Sequence, residues 1–299
     1  GIKIGSAGTL ITNSNTKIGK DVINKGILKN VGKGAIIEGN YTAEYGSVTE
    51  AEIGTKLIVK GTVKIDGRER NQTLGSTLRV LNNNYVTAAP TTATVIEAEK
   101  GIEGKFEKVE TDELINGKVE NTENSIKATI SRKNVEDYVN NLSDSDEMQK
   151  NTAQNLETAF QKLDQNIENG TAGNVAQFER KAATLQALTS SNRAAVLDSL
   201  SGQIYASAQA LTFQHSQTVN KDLSNRLVML GTLDNVGDNF GLWISGLGAN
   251  GTLKQDGYGK GDTKVFGGQV GVDRQFGENL ILGTALSYSK ANVKFNRYG

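Results

Sequence analysis

The sequence predicts a mixed, mainly β chain laid out in three zones: stacked parallel strands, then helices, then the opening antiparallel strands of a β-barrel. Three changes of pattern carry that reading. Short bursts of Ile and Val bounded by Gly, Asn and Asp-Gly fill residues 1–130. From 131 to 232 the apolar residues recur every three or four positions, and from 233 to 299 they alternate.

In the first zone, Gly34-Ala-Ile-Ile-Glu-Gly39, Leu57-Ile-Val-Lys-Gly-Thr-Val-Lys-Ile65 with Asp66-Gly67, and Thr77-Leu-Arg-Val-Leu81 are runs bounded by turn formers. Such runs read as strands and turns. Bursts of Ile and Val suit parallel strands better than an alternating sandwich sheet. A parallel β-helix is the expected architecture, because one coil cannot bury its inward face but a stack can. The repeat is irregular.

In the second zone, Leu156, Phe160, Leu163 and Ile167 step by four, three and four, as one helix face requires. Gly170 and Gly173 break the segment, and Thr171 or Asn174 is placed to cap the next. Farther on, Leu197, Leu200, Ile204, Leu211, Val219, Leu223, Leu227 and Leu230 keep the helical step among Ser, Gln and Asn. A continuous helix from Asn192 to Leu230 would run roughly 58 Å. Taken alone, that segment also suits a coiled coil or a bundle helix.

In the third zone, Phe266, Val270 and Val272 share one face of a strand, and Gln269, Gly271 and Asp273 the other. Leu280, Leu282, Thr284, Leu286 and Tyr288 likewise oppose Ile281, Gly283, Ala285, Ser287 and Ser289. Phe240, Leu242 and Ile244 begin a similar strand. Strands of about eight to ten residues fit a tilted membrane strand. A loop of about fifteen residues, Asn250 to Lys264, joins the first two strands, and the short Phe276-Gly-Glu-Asn279 turn joins the next. Long loops on one side and tight turns on the other mark outer-membrane barrels. A soluble antiparallel sandwich gives the same alternation, but its core wants bulky inward residues. The small set Gly267, Gly271, Gly283, Ala285 and Ser287 instead suits a lumen that holds a helix.

Composition removes several classes. Lys plus Arg (33) equals Asp plus Glu (33), so net charge is zero, against the basic excess of a nucleic-acid binder. With no Cys and one His there are no disulfides, thiol chemistry or two-histidine zinc motifs. One Pro and 34 Gly disfavour Pro-rich linkers and allow long β structure with many turns. Mean hydropathy is −0.40 and no apolar run approaches 18 residues, which excludes a transmembrane helix but not a barrel. Residue 1 is Gly with no leader after it, and the chain reads as a fragment of something longer.

Three motifs invite chemistry. Gly246-Leu-Gly248-Ala-Asn-Gly251 matches G-x-G-x-x-G, but the loop-like Thr252-Leu-Lys-Gln-Asp that follows lacks the helix a pyrophosphate needs. His215 sits in the long helix without a nucleophile on a sharp turn, so it reads as a helix-face residue making one hydrogen bond. Asp66-Gly-Arg-Glu-Arg70 could support polysaccharide cleavage only with carboxylates paired across coils, and reads more simply as a turn and a solvated loop.

Three stretches agree in order with one family. Asn84-Tyr-Val-Thr87 and Val95-Ile-Glu-Ala-Glu-Lys-Gly-Ile-Glu-Gly-Lys-Phe106 resemble the end of an autotransporter passenger β-helix with its autochaperone segment. Asp198-Ser-Leu-Ser-Gly-Gln-Ile-Tyr-Ala-Ser-Ala-Gln-Ala210 resembles the helical stretch before the translocator in autotransporters with subtilisin-like passengers. Gly241-Leu-Trp-Ile-Ser-Gly246, Gly267-Gly-Gln-Val-Gly-Val-Asp273 and Leu282-Gly-Thr-Ala-Leu-Ser-Tyr-Ser289 are similar to the opening barrel strands. The family barrel has about a dozen strands and a terminal aromatic strand, whereas this sequence carries about three and stops at Tyr298-Gly299.

The resemblance implies a right-handed parallel β-helix end with an autochaperone cap (1–130), a helical linker with the pore helix (131–232) and the first barrel strands (233–299). It implies a monomeric secretion unit anchored in the outer membrane of a Gram-negative-type bacterium, which exports its own passenger to the cell surface. Its implied partners are outer-membrane lipid, the barrel-assembly machinery and that passenger. No cofactor, metal, nucleic acid or catalytic residue is expected in this stretch, and a serine endopeptidase is implied only for upstream sequence. Gly101, Ile102, Gly104, Phe106 and Val109 are expected to form the autochaperone core. Leu197, Leu200, Ile204, Leu211, Leu223 and Leu227 are expected on the pore helix. The alternatives are an adhesin whose β-helix is the binding surface and a polysaccharide-active enzyme using Asp66 and Glu69. Neither accounts for residues 190–299.

Overall fold

The structure, a computed structural model, describes residues 1–13, 16–66, 75–171, 176–232, 240–254, 259–277 and 280–295. It divides into two compact units. One holds residues 1–142 with 153–193, the other 143–152 with 194–299.

The first unit is built in levels. The first level is β1 (Ile2–Ile4), β2 (Thr9–Thr12) and β3 (Thr16–Ile18). The second is β4 (Val22–Asn24), β5 (Ile27–Asn30) and β6 (Ala35–Ile37), and the third β7 (Tyr41–Ala43), β8 (Val48–Glu52) and β9 (Leu57–Val59). The fourth is β10 (Val63–Ile65), β11 (Thr77–Leu81) and β12 (Thr91–Ala98); β13 (Ile102–Gly104) and β14 (Lys108–Glu110) begin the fifth. Every third strand pairs in parallel, giving the sheets β1-β4-β7-β10-β13 and β2-β5-β8-β11-β14, and a third that runs β3-β6-β9-β12. The column Ile2, Val22, Tyr41, Val63, Ile102 climbs by 20, 19, 22 and 39 residues, which is why no fixed repeat is visible in the sequence. The strand read as Leu57–Ile65 is two strands, because Lys60-Gly61-Thr62 turns the chain from β9 to β10.

Inward side chains, two on most of these short strands, meet between the sheets: Val22, Leu28, Ile37, Tyr41, Leu57, Val63, Leu78 and Ile96 are fully buried. Tyr41 is polar at its tip, and its hydroxyl is satisfied by Thr49 Oγ1 at 2.6 Å and Asn24 Nδ2 at 3.2 Å. Burial nonetheless pushes its pKa up to about 12. Outside, opposite charges join successive levels. Glu50 accepts from Arg79 at 2.6 Å and lies 3.7 Å from Lys29, and Arg79 reaches Glu110 at 2.8 Å.

The top of the stack changes hand of pairing. β15 (Ile115–Asn121) and β16 (Ser125–Arg132) form an antiparallel pair, and β16 adds antiparallel to β12. Helices α1 (Val135–Asn140), α2 (Glu147–Glu168) and α3 (Ala176–Gln186) follow. Asn134 caps α1 by accepting from the Asp137 N–H at 3.0 Å. On α2, Leu156, Phe160 and Leu163 are buried, the face the spacing predicts. Gly173 and Asn174 lie outside the described residues.

In the second unit, α4 (Arg193–Leu200) and α5 (Gln203–Thr232) replace the single helix expected from Asn192 to Leu230. Gly202 interrupts it at φ 74°, a conformation an L-residue rarely adopts and a regular helix does not contain. The last three elements are β17 (Phe240–Leu253), β18 (Gly261–Phe276) and β19 (Leu280–Phe295), an antiparallel sheet in the order β17-β18-β19. These strands have 14 to 16 residues rather than eight to ten. The expected fifteen-residue loop is largely ladder, with Asn250 paired to Lys264 and Leu253 to Gly261, because polar residues alternate there with apolar ones. Packing also divides the chain differently from composition: the helical zone is shared between both units.

Candidate functional site

The three long strands present two unlike faces. Phe240, Leu242, Ile244, Phe266, Val270, Leu282, Leu286 and Tyr288 stand exposed on one. The other carries Gly241, Trp243, Ser245, Gly267, Gln269, Gly271, Asp273, Gly283, Ala285, Ser287 and Ser289, by the alternation of a pleated strand. Helix α5 lies against this second face.

The contacts between helix and sheet are polar and run in register. Arg226 clamps Asp273 with two bonds, Nε to Oδ2 at 3.0 Å and Nη2 to Oδ1 at 3.1 Å. Both side chains are mostly buried, and the guanidinium carbon lies 5.9 Å from the centre of the Trp243 ring. One turn earlier on the helix, Ser245 donates to Asp222 Oδ1 at 2.7 Å. His215 Nε2 and Ser289 Oγ share a hydrogen bond, so the histidine makes the single helix-face contact its surroundings suggest. The sheet accommodates the helix with small residues. A Cβ at Gly271 would strike the Trp243 indole, and one at Gly241 would strike the Asp273 carboxylate. Beside the clamp a cavity of about 200 Å³ is lined by Leu223, Arg226, Trp243, Asp273, Gly283 and Ala285.

Spacing pointed to the leucines of this helix, and the structure distributes them. Leu211 and Leu223 are half-buried, whereas Leu227 is 67% exposed. Leu200 is exposed and Leu197 buried, both on α4 rather than α5. The side chain of Ile204 lies outside the described residues. The residues that grip the sheet are ones the leucine pattern hides: His215, Asp222 and Arg226 step by seven and four along one face. That spacing was the available signal.

Gly267, Gly271, Gly283, Ala285 and Ser287 share the helix-side face. G-x-G-x-x-G is simply the middle of β17, with Gly246 and Gly248 paired to Gly268 and Phe266, so no helix opens there to meet a phosphate. Asp66 sits 3.7 Å from Lys64, and Glu69 lies outside the described residues. Among the described residues no group of three His, Asp or Glu side chains could hold a metal ion.

The expected autochaperone residues form the fifth level. Ile102 pairs with Val63 and Val109 with Leu78, both partly buried against the core, and Phe106 is buried in it. Gly104, at φ 83°, lets the chain turn where a Cβ would strike the Ile65 carbonyl, and Gly101 stands at φ 95°. A cluster joins β16 and the connection between β11 and β12 to α2 and α3. Arg132, 3% exposed, reaches Glu157 at 2.9 Å and Asp164 at 2.8 Å. Tyr85 donates to Asp164 at 2.8 Å and packs edge-on against Phe160, ring centres 5.4 Å apart. Burial, reinforced by the Asp164 carboxylate, raises the Tyr85 phenol far above its ordinary value. Gln186 of α3 holds the Val86 backbone by both its N–H (2.8 Å) and its carbonyl (2.7 Å).

Among the described residues no helix is long and apolar enough to cross a membrane, which says nothing about strands. Residues 242–299 match a family model described as autotransporter β-domain. No curated protein and no solved structure matches the chain.

Proposed function

We propose that this chain, whose residues 242–299 match the autotransporter β-domain model, belongs to an outer-membrane secretion unit of a Gram-negative-type bacterium and exports and helps to fold its own passenger. In this reading β17–β19 open the membrane barrel, α5 occupies its lumen, and residues 1–130 are the end of a right-handed parallel β-helix displayed outside. The barrel-assembly machinery inserts the strands, and the protein acts as a monomer. A subtilisin-like serine endopeptidase passenger is proposed on the likeness of Asp198–Ala210.

One observation carries the reading: between Phe240 and Phe266 the sheet is mostly apolar outward and mostly small or polar inward, and the inward face holds a helix by charge and hydrogen bonds. A filled sandwich would oppose that face with bulky apolar groups. Here, at the height of the clamp, Asp222 Oδ2 and Gln269 Oε1 have no protein partner among the described residues, which suits a wet lumen rather than a dry core.

Folding itself supplies the driving force in this account. Each level that stacks outside buries apolar surface at about 25 cal/mol per Å² and so resists sliding back. The fifth level orders first, covers an otherwise open strand edge and templates the levels beyond it.

Exchanging the clamp charges tests the lumen assignment. Asp273→Arg or Arg226→Asp leaves two like charges in a mostly buried site, and surface display of the passenger should drop sharply. The double exchange restores the pair and should restore display. Full display by either single variant, or no recovery in the double, would count against α5 as the lumen helix.

A further inference from the structure

The two faces of the sheet exchange polarity part-way along the strands. From Phe276 to Phe266, eleven residues of β18, the outward positions of the sheet are mostly apolar; Phe266 and Tyr288 stand at the upper limit, 79% and 82% exposed. With about 3.4 Å per residue and a tilt near 40°, this band is about 25 Å tall, the height of a membrane-spanning apolar belt. Lys290 stands level with Phe266, and beyond it the outward positions are Lys264, Asn250, Asn292, Thr252, Asp262 and Lys294. There the inward positions turn mostly apolar instead. Leu247, 4% exposed, opens that face one pair below Phe266, Val265 is 3% exposed, and Ala249, Ala291, Val293, Leu253 and Phe295 continue it, with the buried Thr263 as its polar member.

Strand ends that merely ran on into water would be polar on both faces. An inverted pattern means that the ends stand in water and cover something apolar. They rise about 13 Å past Phe266, by the same geometry applied to Gly261–Val265. Helix α5 supplies the occupant at that height. His215 bonds Ser289, which shares a level with Leu247, and a Cβ at Gly251 would meet the Gln214 amide at 2.6 Å. The turns above contribute Leu211, Ala210 and the buried Ser207.

We propose that the protruding ends of β17–β19 form one wall of an apolar collar that lies against residues 207–215 of α5 and seals the pore outside the bilayer. The collar rests on the membrane reading of these strands. It separates two tasks: the polar contacts from Asp222 to Arg226 fix the helix at membrane depth, while Leu247 and Val265 exclude water and ions above it. An apolar constriction suits this task, because ions do not readily enter a dewetted gap.

The test uses protein expressed from its complete reading frame. Maleimide labelling of intact cells first examines the membrane reading: cysteines replacing Asn250, Lys264 and Asn292 should label, and cysteines replacing Val270 and Leu286 should not. Labelling of the last two would overturn that reading and the collar with it. With the expected labelling in hand, planar-bilayer conductance in potassium chloride examines the collar alone. Leu247→Asp with Val265→Asp should raise conductance several-fold, whereas Lys264→Asp, at the same height but outward, should leave it unchanged. Folding is checked by heat-dependent gel migration. If the aspartate pair fails to fold, Leu247→Ala with Val265→Ala replaces it and should raise conductance in the same direction. Unchanged conductance in a folded inward variant overturns the collar while the membrane reading stands.

Discussion

Arg132→Met probes the junction of β16 with α2 most sharply. The guanidinium is 3% exposed and serves Glu157 and Asp164 together, with Nη1 and Nε as the donors, and it lies 5.7 Å from the centre of the Phe160 ring. Methionine keeps much of the volume but leaves two carboxylates in a mostly buried site without their cation. Each retains a backbone N–H: Val135 to Glu157 at 2.8 Å, and Ala88 to Asp164 at 3.3 Å. Breaking a buried ion pair from one side typically costs 3–5 kcal/mol. Because the neighbouring donors remain, the expected loss is near the lower figure, about 3 kcal/mol, or roughly a hundredfold in the closed-to-open ratio at 1.4 kcal/mol per tenfold. The triple variant Arg132→Met, Glu157→Gln, Asp164→Asn removes the stranded charges and should recover part of that loss. Hydrogen exchange at the Val86 and Val135 amides reads the opening directly. A loss below about 1 kcal/mol in the single variant, or a triple variant worse than the single, would refute the reasoning.

Two further outcomes follow from the stack. The Lys108 ammonium, with Arg79 beside it, holds the Glu110 carboxyl below its ordinary 4.5. A depressed carboxylate stabilises above its unfolded value and stops doing so as pH falls through its folded value, so protease resistance of the fifth level should decline below about 4.5. Glu110→Gln should flatten that acid limb, and an unchanged limb would contradict it. Phe106→Ala opens a cavity in the core beside Val109 and should cost about 3 kcal/mol with loss of protease-resistant display; display and resistance equal to the parent would remove Phe106 from the templating role.

Much of this was legible in the sequence because periodicity reports which face is covered. Leu156, Phe160 and Leu163 announce the buried side of α2, and alternation in Leu280–Ser289 announces the two faces of β19. What stayed hidden depends on contacts distant in sequence. Gln186 gives no sign that it will hold Val86, a hundred residues earlier. The His215, Asp222, Arg226 line was readable as steps of seven and four, but the leucine pattern drew attention to Leu227, which is largely exposed. Gly202 falls inside the helix expected from Asn192 to Leu230, yet its backbone conformation divides it. The strand ends past Phe266 read as a loop because their polarity is reversed, and a search for outward apolar residues passes over an inward apolar face.

Lipid contact along β19 tests the central claim most directly. Spin or fluorescence quenching by probes in the acyl region, measured at each position from Leu280 to Phe295 in the membrane-inserted protein, should show a period of two. Leu282, Leu286 and Tyr288 should contact lipid, Gly283, Ala285 and Ser287 should not, and contact should end at Lys290. Quenching without that period, or Leu282 and Leu286 shielded from lipid inside a packed interior, would contradict the account.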